Sequence, residues 1–168
     1  MSFQIWRIAL LTTMLMPTTA IAFQNEPASF RGIAWGTPLS TVQGQMKFDH
    51  REGLQDMYTR SGERMTLGDA TLRRMLYIFY RGAFSGVFLA SDKASGGAMI
   101  GAFRSNFGPG YQENPHIDRY LWDGSVAFIY LTCNTATIDC EGIIESKATH
   151  NQKIEDDAAA ASRAKRDF

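Results

Sequence analysis

The 168-residue chain carries 17 basic and 17 acidic side chains, so it has no formal net charge at neutral pH and a sequence pI of about 6.8. Without a basic run it lacks the electrostatic footprint that nucleic acid or an anionic lipid surface requires, and both are excluded as partners. Its length and 45% hydrophobic content suit one ordinary domain with a core of its own; two cysteines can pin a register but cannot build a fold.

Residues 1–22 hold one cation, Arg7, an apolar run over 8–16, and small residues at Ala20 and Ala22. This is the pattern of a secretory signal peptide cleaved near Ala22, and the apolar run is too short to span a bilayer. No cysteine stands at the boundary for lipid attachment, and a lone arginine does not fit twin-arginine export. The expected location is the periplasm or the exterior, with no membrane anchor. In that oxidising compartment Cys133 and Cys140 are expected to form a disulfide. A redox pair or half a metal site would need C-x-x-C spacing or a neighbouring histidine, so no metal is expected.

After a polar lead-in over 23–29, Thr37-Pro38 announces a helix over 38–46, with Leu39, Val42 and Met46 at helical spacing. Trp35, just before it, reads as a core anchor rather than a ligand platform. Residues 49–52, with His50, read as a charged turn and 54–60 as a strand, followed by short segments punctuated by Ser61-Gly62 and Gly68-Asp69. Residues 71–80 and 83–90 make a long hairpin about Arg81-Gly82. Simple alternation through it puts Leu76, Ile78, Tyr80, Val87 and Leu89 on one face, and Met75, Tyr77, Phe79, Phe84 and Phe88 on the other. Ser91 or Ser95 can cap a second helix running to Phe107, stopped by Gly108 and Pro109.

Asp123-Gly124, the dipeptide suited to a type I′ turn, organises the next stretch, between a strand at 121–122 and another over 125–132. A reversal over 134–137 returns the chain through 138–145 and sets Cys133 opposite Cys140. Alternation then gives a core face of Ala127, Ile129, Leu131, Cys133, Ile138, Cys140 and Ile144. The opposite face carries Leu121, Val126, Phe128, Tyr130 and Ile143 among Asp139, Glu141 and Glu145, too apolar to be simply wet. Residues 149–168 form a charged, alanine-rich tail, either a solvated helix or disordered. The expected fold is α+β: a single domain over 23–148, with two helices packed on one face of an antiparallel sheet, in two tandem αβ units over 30–90 and 91–148.

The stretch Phe30-Arg31-Gly32-Ile33-Ala34-Trp35-Gly36-Thr37, with Tyr58-Thr59-Arg60, Leu67-Gly68, Phe107-Gly108 and Tyr120-Leu121-Trp122, resembles small exported, uncharacterised bacterial proteins that open with F-x-G-I-x-W-G-T. These motifs are structural, and the likeness implies no established activity. In plan only, helix-plus-antiparallel-sheet units are similar to the β-lactamase-inhibitor-protein fold and to the small outer-membrane assembly lipoproteins that share it, both binding modules. This chain lacks the lipoproteins' anchoring cysteine.

Recognisable catalytic chemistry is missing. His50, His116 and His150 have no partner at metal-ligand spacing, and no G-x-S-x-G elbow occurs. Gly96 and Gly101 have P-loop spacing, but Ala102 and Phe103 stand where its lysine and hydroxyl residue belong. The leading expectation is a non-catalytic protein- or peptide-binding module, without a cofactor, using an aromatic sheet face of Tyr77, Phe79, Phe84, Phe88, Phe128 and Tyr130. A carrier enclosing a small apolar ligand with the same aromatics comes second, and a hydrolase whose carboxylates meet only in space comes third. The plain alternative is that these aromatics are core.

Overall fold

The computed structural model describes residues 23–134 and 136–167; the signal-peptide reading of residues 1–22 lies outside the described residues. Strands β1 (Ser29–Phe30) and β2 (Ile33–Ala34) form a small hairpin, followed by α1 (Leu39–Val42). Then come β3 (Met46–Glu52), β4 (Gln55–Arg60), β5 (Thr66–Leu67), β6 (Ala70–Tyr80), β7 (Ala83–Ser91) and α2 (Gly96–Phe107). Strands β8 (Arg119–Asp123), β9 (Ala127–Asn134) and β10 (Asp139–Ser146) lead into α3 (Lys147–Ala164). The fold is α+β. Its main sheet runs β3-β4-β6-β7-β10-β9-β8, every neighbour antiparallel, and β5 pairs with the start of β6.

One face of this sheet is sealed. Met75, Tyr77 and Phe79 of β6, Phe84, Val87 and Leu89 of β7, Ile129 and Leu131 of β9, and Ile144 of β10 form one continuous core with Met99 and Phe103 of α2. The cover is completed by Phe30 and Ile33 of the small hairpin and by Trp35, Leu39 and Val42 around α1. Trp35 does anchor the chain: its ring packs 5.2 Å from Phe84 and its indole N–H donates to the Pro27 carbonyl at 2.6 Å. Gly142 lets α2 approach, because a Cβ there would stand 3.0 Å from Phe103 and 3.2 Å from Leu131. Tyr77, fully buried, turns its hydroxyl to the Glu63 carboxylate, which also receives Arg31, so the loop before β5 is tied over the core. Burial and the Glu63 bond push the Tyr77 phenol up to about 12. Burial works against ionisation of Glu63, but the Tyr77 and Arg31 bonds outweigh it and hold the carboxyl below its usual range.

The second face carries a helix that sequence left undecided. The tail is α3, and it packs on β9 and β10 on the side opposite α2. The Ser146 hydroxyl caps it by accepting from the Thr149 N–H at 3.4 Å.

Several expectations are corrected by local geometry. The helix over 38–46 shrinks to one α-helical turn and a 3₁₀ turn at Gln43–Gln45, with Pro38 before the helix rather than inside it. Gly44, costly in a helix interior, sits in that 3₁₀ turn. The charged turn at 49–52 is instead the end of edge strand β3, where charged side chains are tolerated because one backbone edge faces water. Gly124 does not adopt a positive φ; the connection is a three-residue loop closed by Gly124 N–H to Ala127 O at 3.0 Å. The Glu26 carboxylate fills that loop, accepting from Ser125 N at 3.1 Å and Val126 N at 2.6 Å, and these backbone bonds outweigh burial to lower its pKa. Ile138 leaves the core face because it sits in the β9–β10 turn at φ 53°, 58% exposed. Cys133 and Cys140 do stand opposite each other and form the disulfide, with Cα atoms 4.0 Å apart.

The most consequential correction lies in the β6–β7 hairpin. Its turn is as expected, with Arg81 at φ 52° and Gly82 at φ 81°. Phe79 faces Phe84, but Ile78 faces Gly86, so Ser85 is an extra residue in β7. The bulge is held by the buried Ser85 hydroxyl, which donates to the Ile78 carbonyl at 3.1 Å. Every later residue of β7 is thereby moved across the sheet: Val87 and Leu89 join Met75, Tyr77 and Phe79 in the core, and Phe88 passes to the second face beside Leu76.

Candidate functional site

With the bulge in place, the second face can be laid out row by row from the register. One row crosses five strands as Leu76, Phe88, Ile143, Tyr130 and Leu121. At a strand spacing near 4.8 Å this apolar strip is about 19 Å long. Leu76 at its β6 end is buried, whereas Phe88, Ile143, Tyr130 and Leu121 remain partly open to solvent. On one side of the strip lies the row of Ile78, Gly86, Glu145, Phe128 and Asp123, which α3 crosses. On the other side is the polar row of Arg74, Ala90, Glu141, Thr132 and Arg119.

The α3 wall is attached through polar groups. Glu145, only 2% exposed, accepts from Lys153 Nζ at 2.9 Å, and His150 Nδ1 lies 2.7 Å from its other oxygen. The His150 ring stacks on Phe128 with centroids 3.8 Å apart. Further along, Asp156 receives the Tyr80 hydroxyl and Arg81 Nη2 at 2.7 Å. The hydrogen bond from Tyr80 outweighs burial and holds the Asp156 carboxyl low. No residue of α3 is buried, so the helix is a wall laid on the sheet rather than a member of the core. Under Glu145, Gly86 lets β7 and β10 approach closely, since a Cβ there would stand 2.7 Å from Glu145 Cβ and from the Ile144 carbonyl.

Toward β3 the strip deepens into a cavity of about 260 Å³ over Met57, Leu76, Ile78, Phe88 and Ile143, with His50, Glu52, Arg74 and Lys153 at its rim. It adjoins a hollow of about 450 Å³ between the β3–β4 turn and α3. Arg74 is drawn to Asp49 at 2.8 Å, and His50 lies between Asp49 and Glu52, so the rim is polar with its charges matched. The result is a groove with an apolar floor and polar sides.

The six aromatics expected on one surface do not share a face. Tyr77, Phe79 and Phe84 are fully buried beneath α1 and α2, so they offer no surface; Phe88, Phe128 and Tyr130 lie on the second face. The structure adds Leu121, Ile143 and Leu76 to the strip and brings in His150 and Lys153. Leu121 and Ile143 were legible from alternation; His150 and Lys153 were not, because nothing in the tail's composition fixes where it docks.

A hollow of about 710 Å³ beside the disulfide gathers His116, Asp118, Asp139 and Glu141. Its carboxylates are engaged: Asp118 by the Tyr120 hydroxyl at 3.0 Å, Glu141 by Arg73 at 2.7 Å, and Asp139 by Thr137. Among the described residues no group of three or more His, Cys, Asp or Glu could hold a metal, and no hydroxyl or thiol bonds to His150 to complete a nucleophile. Among them, too, no helix is long and apolar enough to cross a membrane. Compared with known proteins, the chain matches no family model, no curated protein and no solved structure.

Proposed function

We propose that this is an exported, non-catalytic binding module whose second sheet face takes a short amphipathic helix of a protein partner. The observation that carries this reading is the strip of Phe88, Ile143, Tyr130 and Leu121, left partly open beside a helix that already docks on the same face. Soluble domains rarely leave a contiguous apolar band uncovered unless something covers it. The strip runs across the strands, as α3 does, and continues the surface that α3 occupies. From Phe88 to Leu121 it spans three strand spacings, about 14 Å, which matches roughly 10 residues of helix, close to three turns. Packed beside α3 at the usual 8–10 Å interaxial distance, such a helix would lie over the strip and the adjoining Glu141 row. Its polar flank would meet Arg74, Glu141 and Arg119, and its apolar stripe would cover the floor. The disulfide of the β9–β10 hairpin supports the export part of this reading, since such bonds persist outside the cytoplasm.

The test is selection of helix-forming 15-residue peptides on the exported chain, followed by affinity measurements with Tyr130→Glu and Leu121→Glu. Peptides that become helical on binding and lose at least tenfold affinity to either substitution support the reading. Binders indifferent to both, or bound as extended strands along β3, refute it.

A further inference from the structure

A separate hollow of about 290 Å³ lies on the sealed side of the sheet, where the β1–β2 hairpin and β5 face α2. Phe30 and Leu67 line one side, Ala102 and Phe107 the other, with Phe103 and Ile144 of the core beneath. The chain leading into β1 is tied to the end of α2. Gln24 N–H donates to the Phe107 carbonyl at 3.0 Å, and the Asn25 side chain donates to the Asn106 carbonyl at 2.9 Å. The hollow is therefore largely preformed, near the small end of ordinary ligand pockets of about 300–1,000 Å³.

Its electrostatics are one-sided: among the described residues the charged side chains lining it are Arg31 and Arg64, with no carboxylate. Arg31 takes φ +45°, uncommon outside glycine, at the β1–β2 turn. That conformation accompanies a fully engaged guanidinium: Nη1 bonds the Glu63 carboxylate and the Arg64 carbonyl at 2.7 Å, and Nη2 the Thr66 carbonyl at 2.5 Å. Arg31 is thus held in place with its charge balanced by Glu63. The Arg64 guanidinium is different. It is exposed at the mouth, and among the described residues no hydrogen bond or ion pair involves it.

We propose that this hollow binds a small amphiphile with one anionic head, of which a medium-chain carboxylate is the simplest, its tail against Phe30, Leu67, Ala102 and Phe107 and its carboxylate on Arg64. A wholly apolar ligand would leave Arg64 unused, and a dianionic head would find Arg31 already spent on Glu63. The size of the hollow restricts the tail to a short chain. This site is distinct from the second-face groove and does not depend on what that groove binds.

Calorimetric titration of the protein with decanoate and decyltrimethylammonium below their micellar concentrations, and with decanol below its solubility limit, tests it. Decanoate should bind saturably at one site, and Arg64→Gln should weaken it about tenfold, as loss of one charge-assisted contact does, with no change in thermal midpoint. Decanol should bind the native chain and Arg64→Gln alike, and Ala102→Phe should abolish binding of both. Tyr130→Glu, on the opposite face, should alter none of these. The proposal is overturned if decyltrimethylammonium binds as tightly as decanoate, if Arg64→Gln leaves decanoate affinity unchanged, or if no saturable binding occurs. The Arg64 side chain is exposed and among the described residues makes no internal hydrogen bond or ion pair, so that variant remains informative even if Ala102→Phe fails to fold.

Discussion

Replacing Glu145 by alanine tests how the wall of the second-face groove is held. The Glu145 side chain is 3% exposed, while those of His150 and Lys153 are each 21% exposed. Removing one partner of a buried ion pair costs about 3–5 kcal/mol, because the charge left behind is neither solvated nor paired. Here the two survivors sit one-fifth open and can regain water, which pulls the cost to the lower end, about 3 kcal/mol. Glu145→Gln keeps the shape and one accepting oxygen but gives up the charge, and should cost about 1–2 kcal/mol. The measurements are urea unfolding of the protein and amide exchange over 147–156. Both variants should lower the urea midpoint, and exchange in α3 should accelerate more than exchange in β6 or β9. A cost below about 1 kcal/mol for Glu145→Ala, or an unchanged exchange rate in α3, would show that the helix is docked by other contacts and would refute the reasoning. Replacing Glu145, His150 and Lys153 together by leucine should instead be neutral or stabilising, as found when buried charge clusters become apolar.

Gly86→Ala forces a Cβ to within 2.7 Å of a backbone carbonyl and of Glu145 Cβ; it should cost about 2–3 kcal/mol, read by thermal melting. At alkaline pH, Tyr77 keeps its proton in the folded chain until about 12, while the unfolded chain releases it near 10. Its stabilisation is therefore complete below pH 10 and should be lost between about 10 and 12, roughly 2–3 kcal/mol in all, with Tyr77→Phe flattening that limb of the pH–stability curve. Glu63 has the opposite sign. Its lowered pKa gives stability that is present above the ordinary carboxyl range and lost as pH falls through the folded value, so Glu63→Gln should flatten the acid limb. Breaking the Cys133–Cys140 bridge with a double serine variant should lower stability by about 2.5 kcal/mol, the loop-closure estimate for so short a ring, measured against the oxidised chain by urea unfolding.

Much of the fold was legible because turn chemistry and alternation carry it. Arg81-Gly82, Gly108-Pro109 and the opposed cysteines fixed two hairpins and the end of α2, and alternation from the cysteines placed Phe128, Tyr130 and Ile143 on the second face. Where reading failed, the deciding force was a contact distant in sequence or a single inserted residue. Ser85 looks like any strand residue, yet its bond to the Ile78 carbonyl turns the rest of β7 over and separates Phe88 from Tyr77 and Phe79. The Asp123-Gly124 turn took another form because Glu26, about a hundred residues earlier, satisfies the loop's N–H groups. His50 sits on an edge strand, where composition rules are weak. The tail's helix follows from its alanines, but its docking depends on Glu145, which sequence alternation put among surface acids.

The two faces differ in what closes them, and that difference bears on function. The sealed face is closed by apolar side chains of α2, the β1–β2 hairpin and the α1 segment, and Glu63 and Arg31 tie the cover down through the hydroxyl of buried Tyr77. The second face is closed along one row only, by a helix whose holds are a carboxylate, an imidazole, an ammonium and a ring stack. A chain selected only to bury its sheet would have placed apolar residues on α3 where His150 and Lys153 stand. Polar attachment gives the helix a defined position without hydrophobic spread, so it forms a wall and leaves the neighbouring strip of Phe88, Ile143, Tyr130 and Leu121 available. That division, a fixed polar wall beside an uncovered apolar floor, is what a helix-accepting groove requires and what a purely structural sheet would avoid.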